Sequence, residues 1–218
     1  MIAITAQKFL YKVKMSKIIV FSLLLLFADL HPNGRSADST AEDADLARRA
    51  GSEPEAFTEL YHRYLKRVYR YHLARTGHVQ EAEDLTAQTF LTAFEAIRSY
   101  RGQGSFAAWL FGIACHKLAD HYRKNRVELP LEEANGLHSP VPDPEQAVHY
   151  RLELERVSRV LGLISPERAD AVVLCLFGGL SLAEAARTVG KSEAAVKMLV
   201  HRGLSDLQER LAIYLEVA

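Results

Sequence analysis

The stretch Ser181–Leu207, SLAEAARTVGKSEAAVKMLVHRGLSDL, reads as two short helices joined by a tight turn. Ser181 and Glu184 have the spacing of a capping box, in which the hydroxyl accepts a backbone N–H near Glu184 and the carboxylate reaches back to the Ser181 amide. Gly190 stands where the chain must turn sharply, and glycine tolerates the positive φ this needs. Ser192 is placed to cap the second helix. Ala186 is small where two helices would cross closely, and Val189, Val196, Leu199 and Val200 supply apolar contacts. The pattern predicts a helix-turn-helix whose second helix is free to enter a DNA major groove. A plain helical hairpin inside an all-α core is the competing reading.

Upstream of this motif, Ser165-Pro166-Glu167 marks a helix start with proline in the first turn. Helical periodicity reaches back to about Val148. Before that, residues 127–147 hold four prolines, the acidic Glu128, Glu132, Glu133, Asp143 and Glu145, and no lysine or arginine. Such a composition makes a linker. A third helix is expected from Phe106 to about Arg126, capped by Ser105, with Phe106, Trp109, Leu110, Ile113, Ala114, Leu118 and, as the next step, Tyr122 on its core face and a basic C-terminal end. Trp109 lies at core spacing and is assigned to packing. The loop Tyr100-Arg101-Gly102-Gln103-Gly104-Ser105 leads into it.

A second helix is expected over Val79–Ser99, with Ala82, Leu85, Phe90, Ala93, Phe94 and Ile97 as its apolar face and an acidic first turn that suits the helix dipole. A first helical region runs from about Asp45 to Thr76, stopped by Gly77, with Ser52 and Glu55 spaced as another capping box. Phe57, Leu60, Tyr61, Tyr64, Leu65 and Val68 recur there at helical spacing, with Arg63, Lys66, Arg67 and Arg70 between them. No strand-like alternation stands out. The chain is therefore expected to be all-α, two small helical domains joined by a flexible linker: 41–126, then 127–150 as tether, then 151–218, preceded by a poorly defined segment 1–40.

Lys and Arg together number 27, as do Asp and Glu, so global charge does not favour nucleic acid and any basic surface must be local. The two cysteines, Cys115 and Cys175, sit far apart in apolar helical patterns, which favours buried free thiols in a reducing cytoplasm over a disulfide. Residues 1–40 differ from the rest. Lys8, Lys12, Lys14 and Lys17 precede the apolar run Ile18–Ala28, like the first parts of a secretory signal. The run is shorter than the ~20 residues of a membrane span. A start codon assigned too far upstream, a membrane anchor and a signal peptide compete; the first is favoured, because everything downstream argues for a cytoplasmic protein.

Three segments together carry a family resemblance: EAFTELYHRYLKRVYRY, then EAEDLTAQTFLTAFEAIRSYRGQGSFAAWLFGIACHKLADHYRK, then the helix-turn-helix. The order of an acidic-Asp-Leu-Thr turn, a Thr-Phe-Leu step, an Arg-Gly-x-Gly-Ser-Phe loop and an Ala-Trp-Leu-x-x-Ile-Ala helix resembles the bacterial RNA polymerase sigma factors of the extracytoplasmic-function type. The resemblance covers about Asp45–Leu211, with a gap over the tether. It implies sigma domain 2 before the tether and sigma domain 4 after it. It also implies core RNA polymerase (its beta-prime clamp helices and beta flap), promoter DNA and an anti-sigma factor as partners. By the same resemblance, Glu81, Glu83, Asp84, Thr86, Gln88 and Thr89 dock on the clamp helices. Many relatives have a Gln-Glu pair where this chain has Ala87-Gln88. Tyr100, Arg101, Gln103 and Ser105 belong to the loop that holds a flipped base of the minus-ten element, and Lys117, Asp120, His121, Arg123 and Lys124 to the helix that reads it. Lys191, Ser192, Glu193, Ala194, Ala195, Lys197, Met198, His201 and Arg202 head or line the helix that reads the minus-thirty-five element. Relatives usually continue that helix with more basic residues, where this chain has Leu199, Leu204, Ser205 and Asp206. Fewer phosphate contacts imply weaker, less salt-sensitive duplex binding by this module alone.

The chemistry of such a protein matches the residues. Reading duplex needs a helix in the major groove, and capturing a melted strand needs shaped pockets beside a basic track. The sequence offers no catalytic constellation and no cofactor motif. Cys115 and His116 are adjacent on a helix and point about 100° apart, His116 and His121 are off the spacing that puts two metal ligands on one face, and no glycine-rich nucleotide motif occurs. A stand-alone helix-turn-helix regulator is the alternative, but it has no need of a docking helix and a glycine loop.

Overall fold

The computed structural model describes residues 37–100, 102, 104–127 and 157–217. The N-terminal apolar run, nearly all of the tether, Arg101 and Gln103 lie outside the described residues. Among the described residues every regular element is helical: α1 (Ala37–Arg49), α2 (Pro54–Thr76), α3 (Val79–Ala96), a 3-10 turn (Ile97–Ser99), α4 (Phe106–Val127), α5 (Pro166–Leu176), α6 (Leu182–Val189) and α7 (Glu193–Val217).

The helical region expected over residues 45–76 is two helices, not one. Ala50 N–H closes on Leu46 O, Ser52 and Glu53 N–H both close on Arg49 O, and the chain turns before Pro54. Proline at the first position of α2 lacks only an N–H that would have no helical partner there. The capping box expected at Ser52 and Glu55 does not form. The N-cap is Glu53 without a side-chain cap bond, and the Ser52 hydroxyl donates to Arg49 O at 3.2 Å. Proline moves the helix start by one residue, which takes the serine out of capping register.

Other local signals hold. Gly77 ends α2 at φ 73° and Gly190 ends α6 at φ 65°. Ser181 accepts from Glu184 N–H while the Glu184 carboxylate accepts from Ser181 N–H, the complete reciprocal box. Ser105 accepts from Ala108 N–H and Ser192 from Ala195 N–H, both at 3.2 Å.

Helices α1–α4 form the first module, with α2 packed along α3 and α3 against α4. Its core is rich in rings: Tyr64, Tyr71, Phe106 and Phe111 are fully buried, in edge-on pairs such as Tyr64–Phe106 at 5.2 Å and Tyr71–Phe111 at 5.7 Å between centroids. Trp109 packs against Tyr100 and Phe106, as its spacing suggested. Phe94, expected in the core, is 52% exposed, with one edge against Phe57. The second module packs α5 and α6 on α7 around small aliphatic residues, among them Ala169, Val172, Val173, Ala185 and Val196.

The two modules touch. Helix α4 packs on α6 and α2 on α5, so one continuous core runs through both. Gly178, after α5, lies so close to Phe111 that a Cβ there would come within 2.9 Å of the ring; only glycine permits that approach.

Candidate nucleic-acid interface

Helix α3 divides cleanly into a buried and an exposed face. Ala82, Leu85, Thr86, Thr89, Phe90 and Ala93 are buried, while Glu83, Asp84, Ala87, Gln88, Leu91 and Phe94 are exposed. Thr86 and Thr89 were expected to dock on a partner, and the structure corrects this: both are buried, their hydroxyls donating to Ala82 O and Leu85 O one turn back. A threonine on the inner face of a helix satisfies its hydroxyl on its own backbone. Because the Thr89 hydrogen goes to Leu85 O, His72 Nε2–H is the donor in the 3.1 Å contact with Thr89 Oγ1. His72 Nδ1 is buried without a partner, and burial, with the nearby His121, lowers the imidazole pKa to about 3. The ring is a neutral core group. The exposed face adds two residues to the expected docking set, Leu91, which is 60% exposed, and Phe94. Leu91 was legible as the next step after Asp84 and Gln88 on one helical face.

Glu81 pairs at 3.0 Å with His121 of α4. The pair ties the start of α3 to the C-terminal half of α4, so a residue expected to face polymerase and one expected to face DNA are in direct contact. Along α4, Arg123 and Lys124 are exposed, Lys117, Asp120 and His121 are half-buried, and Arg123 pairs with Asp120 at 2.9 Å. In the loop before α4, Gly102 (φ 69°) and Gly104 (φ 88°) both take left-handed backbone. The Tyr100 hydroxyl donates across the loop to Gly104 O at 3.2 Å. Ser105 is buried, and its hydroxyl accepts from Ala108 N–H.

In the second module, Glu193, Ala194, Lys197, Met198, His201 and Arg202 are exposed on one face of α7. Met198 is the apolar member of that face, 50% exposed. Ala195 is half-buried and Ser192 is the cap. Lys191 pairs with Glu167 at 3.2 Å, and Asp206 pairs with Arg168. The first module thus gathers an acidic-apolar helix face and a glycine loop leading into a helix with exposed cations. The second presents a helix-turn-helix whose second helix shows a continuous exposed face. No cluster of His, Cys, Asp or Glu able to hold a metal ion occurs among the described residues. The two thiols are unpaired; burial pushes Cys115 up to about 12 and Cys175 to about 11.

Comparison with known proteins agrees with both modules. Residues 60–128 match the family model of Sigma-70 region 2, and residues 154–207 that of Sigma-70, region 4. The ECF RNA polymerase sigma factor BldN of Streptomyces coelicolor is 36% identical over 181 residues, which cover 81% of this chain and 69% of BldN. The RNA polymerase sigma factor CnrH of Cupriavidus metallidurans is 34% identical over 184 residues, 78% of this chain and 95% of CnrH. The solved structure of CnrH in complex with the cytosolic domain of CnrY has a TM-score of 0.60 to this fold at 26% identity, covering 78% of this chain and 97% of that one. With the two regions in sequence order and these relatives aligned across both, the chain belongs to the extracytoplasmic-function (ECF) family of RNA polymerase sigma factors.

Proposed function

We propose that this sigma factor divides promoter recognition between its modules: residues 41–126 hold core RNA polymerase and the minus-ten element, 127–150 are the tether, and 151–218 read the minus-thirty-five element. Polymerase docks on the exposed face of α3, through Glu83, Asp84 and Gln88, with Leu91 and Phe94 filling its apolar half and Glu81 at its edge. The loop around Tyr100, Arg101, Gln103 and Ser105 captures an unstacked base, because backbone at its two glycines can approach a base closely. Lys117, Arg123 and Lys124 carry the adjoining phosphates. Glu193, Ala194, Lys197, Met198, His201 and Arg202 face the major groove. The chain acts as a specificity subunit in the cytoplasm and lends no catalytic group. No helix among the described residues is long and apolar enough to cross a membrane. Because the CnrH structure is a complex with a second protein, an anti-sigma partner is part of the proposal.

The observation that carries this reading is the exposed acidic-apolar face of α3 beside the glycine loop: a stand-alone regulator has no use for either. Run-off transcription with purified core polymerase on a genomic promoter library tests it. Promoter-specific transcripts that depend on the added chain are the expected result. Core that co-elutes equally with wild type and with an Asp84→Arg, Gln88→Arg variant overturns the docking face, and absence of specific transcripts overturns the function.

A further inference from the structure

Met198 stands at the centre of the outward face of α7, the second helix of the helix-turn-helix. The inward face of α7 is Val196, Leu199, Val200, Leu204 and Leu207, with Val196 fully buried and the others packed against the core. Gly203 belongs to the same side: a Cβ there would come within 2.8 Å of Val172 Cγ2 of α5. At about 100° per residue, Val196, Val200, Gly203 and Leu207 lie about 140–200° round the helix from Met198. Met198 therefore points away from the core, and it is 50% exposed. Ala194, His201, Arg202 and Ser205 surround it on the exposed side, and Lys197 is exposed at the flank. Its neighbours on that face are thus alanine or polar. A lone exposed apolar side chain is ordinary on a protein surface. This one lies in the first two turns of α7, the part of a reading helix that contacts base edges.

The major groove offers a thioether one good partner. Guanine, adenine and cytosine present hydrogen-bonding atoms there, whereas thymine adds a C5 methyl group. A methionine side chain pressed on the polar atoms strips their water and returns no strong hydrogen bond, which costs affinity. Pressed on the methyl group, it takes apolar surface out of water on both sides. Both effects favour the same base. We propose that Met198 selects a thymine in the duplex element that α7 reads, by packing its side chain on the C5 methyl group, while the cations beside it, Lys197 and Arg202, supply polar contacts to the same site. This rests on the proposed reading of the minus-thirty-five element by α7 and goes beyond it by naming a base and the group that recognises it.

The test uses holoenzyme assembled with the full chain. Run-off transcription on a promoter library randomised upstream first gives the preferred element. Duplexes of that element are then made with each thymine replaced singly by deoxyuridine, which keeps the base pair and removes only the methyl group. Anisotropy of a fluorescein label on each duplex reports binding by wild type, Met198→Ala and Met198→Leu. Both substitutions fall at an exposed helix site, and circular dichroism confirms folding. At one thymine, wild type should lose about three- to five-fold in affinity without the methyl group, as expected for one methyl group taken out of water. Met198→Ala should bind thymine and deoxyuridine there equally, and Met198→Leu should still discriminate. A wild type insensitive to every methyl group overturns the inference, as does undiminished sensitivity in Met198→Ala, and a leucine variant as indifferent as the alanine variant overturns the apolar contact. If Met198→Ala binds core polymerase more weakly without DNA while its base preference stands, the methionine serves a protein contact and the inference is wrong. If wild-type holoenzyme selects no upstream element, the proposed function fails with it; if it selects one in which no thymine methyl group depends on Met198, only the role of the methionine fails.

Discussion

The first module and the second are held together differently. The first buries large rings and specific polar ties: the Tyr64 hydroxyl donates to Asp43 Oδ2 at 2.6 Å, Arg63 reaches the other oxygen of Asp43 at 3.1 Å, and His72 donates to Thr89. The second is built from alanine, valine and leucine on three helices and draws part of its cover from Phe111, Arg67 and Arg75 of its neighbour. Buried polar networks specify one arrangement, and a loop that must shape itself around a single base needs such a frame. A helix that lies in a groove needs only to be a straight, exposed helix. The difference fits the proposed function, in which the first module carries the demanding step, strand capture, and the second the tolerant one.

The largest expected effect breaks that division directly. With holoenzyme on promoter DNA, Gln103→Ala with Arg123→Ala should abolish open-complex formation, read as permanganate reactivity. Lys197→Ala with Arg202→Ala should weaken it and be partly rescued at low salt, since each phosphate contact contributes about one unit of salt slope and a base contact about 1–3 kcal/mol. The reverse pattern, with the second pair abolishing melting at both salts and the first tolerated, would assign the demanding step to the wrong module.

Next in size is the polar frame. Asp43→Ala removes the acceptor of a buried phenol and one partner of Arg63, which should cost about 1–3 kcal/mol. A thermal melt should show the loss in the first module; an unchanged midpoint would make the frame decorative.

A comparable effect should come from pH. His72 is held near 3 in the fold against an ordinary value of 6.5, so the unfolded chain binds the proton first. Stability is complete above pH 6.5 and falls as the pH drops towards 3. At one proton the slope is about 1.4 kcal/mol per pH unit, or about 2 kcal/mol between pH 6.5 and 5, before most carboxylates titrate. Denaturant midpoints at pH 7.5, 6 and 5 should fall for wild type and stay flatter for His72→Gln. Parallel slopes would remove His72 as the titrating group.

The smallest effect is expected in the second module. Ser181→Ala deletes the capping box and should cost about 1 kcal/mol, visible as faster amide exchange in α6 with α2–α4 unchanged. Equal acceleration in both modules would mean that they unfold as one unit.

Much of this protein was legible locally. The capping box at Ser181 and Glu184, the positive φ of Gly77 and Gly190, the cap at Ser105 and the order of α3, glycine loop and α4 all depend on residues a few positions apart, where hydrogen-bond geometry and helical period act within a turn or two. Pro54 already belongs to another kind of problem: two signals overlapped, Ser52–Glu55 and the proline, and the fixed φ of proline decided the helix start. Periodicity placed Phe94 inside and the family resemblance placed Thr86 and Thr89 outside, yet the inner face of α3 is set by where α2 and α4 lie, which admits two threonines satisfied on their own neighbouring carbonyls and leaves Leu91 and Phe94 exposed. Nothing in the periodicity of either module announced that Arg67 would find Gly178, 111 residues away, or that Thr188 would lie 3.2 Å from Ala108 O. The sequence alone determined where most of the helices run and which family they belong to. Only the tertiary structure decided which of their surfaces are covered, because a contact between modules depends on the shapes both present once folded and leaves no repeating mark in the chain of either.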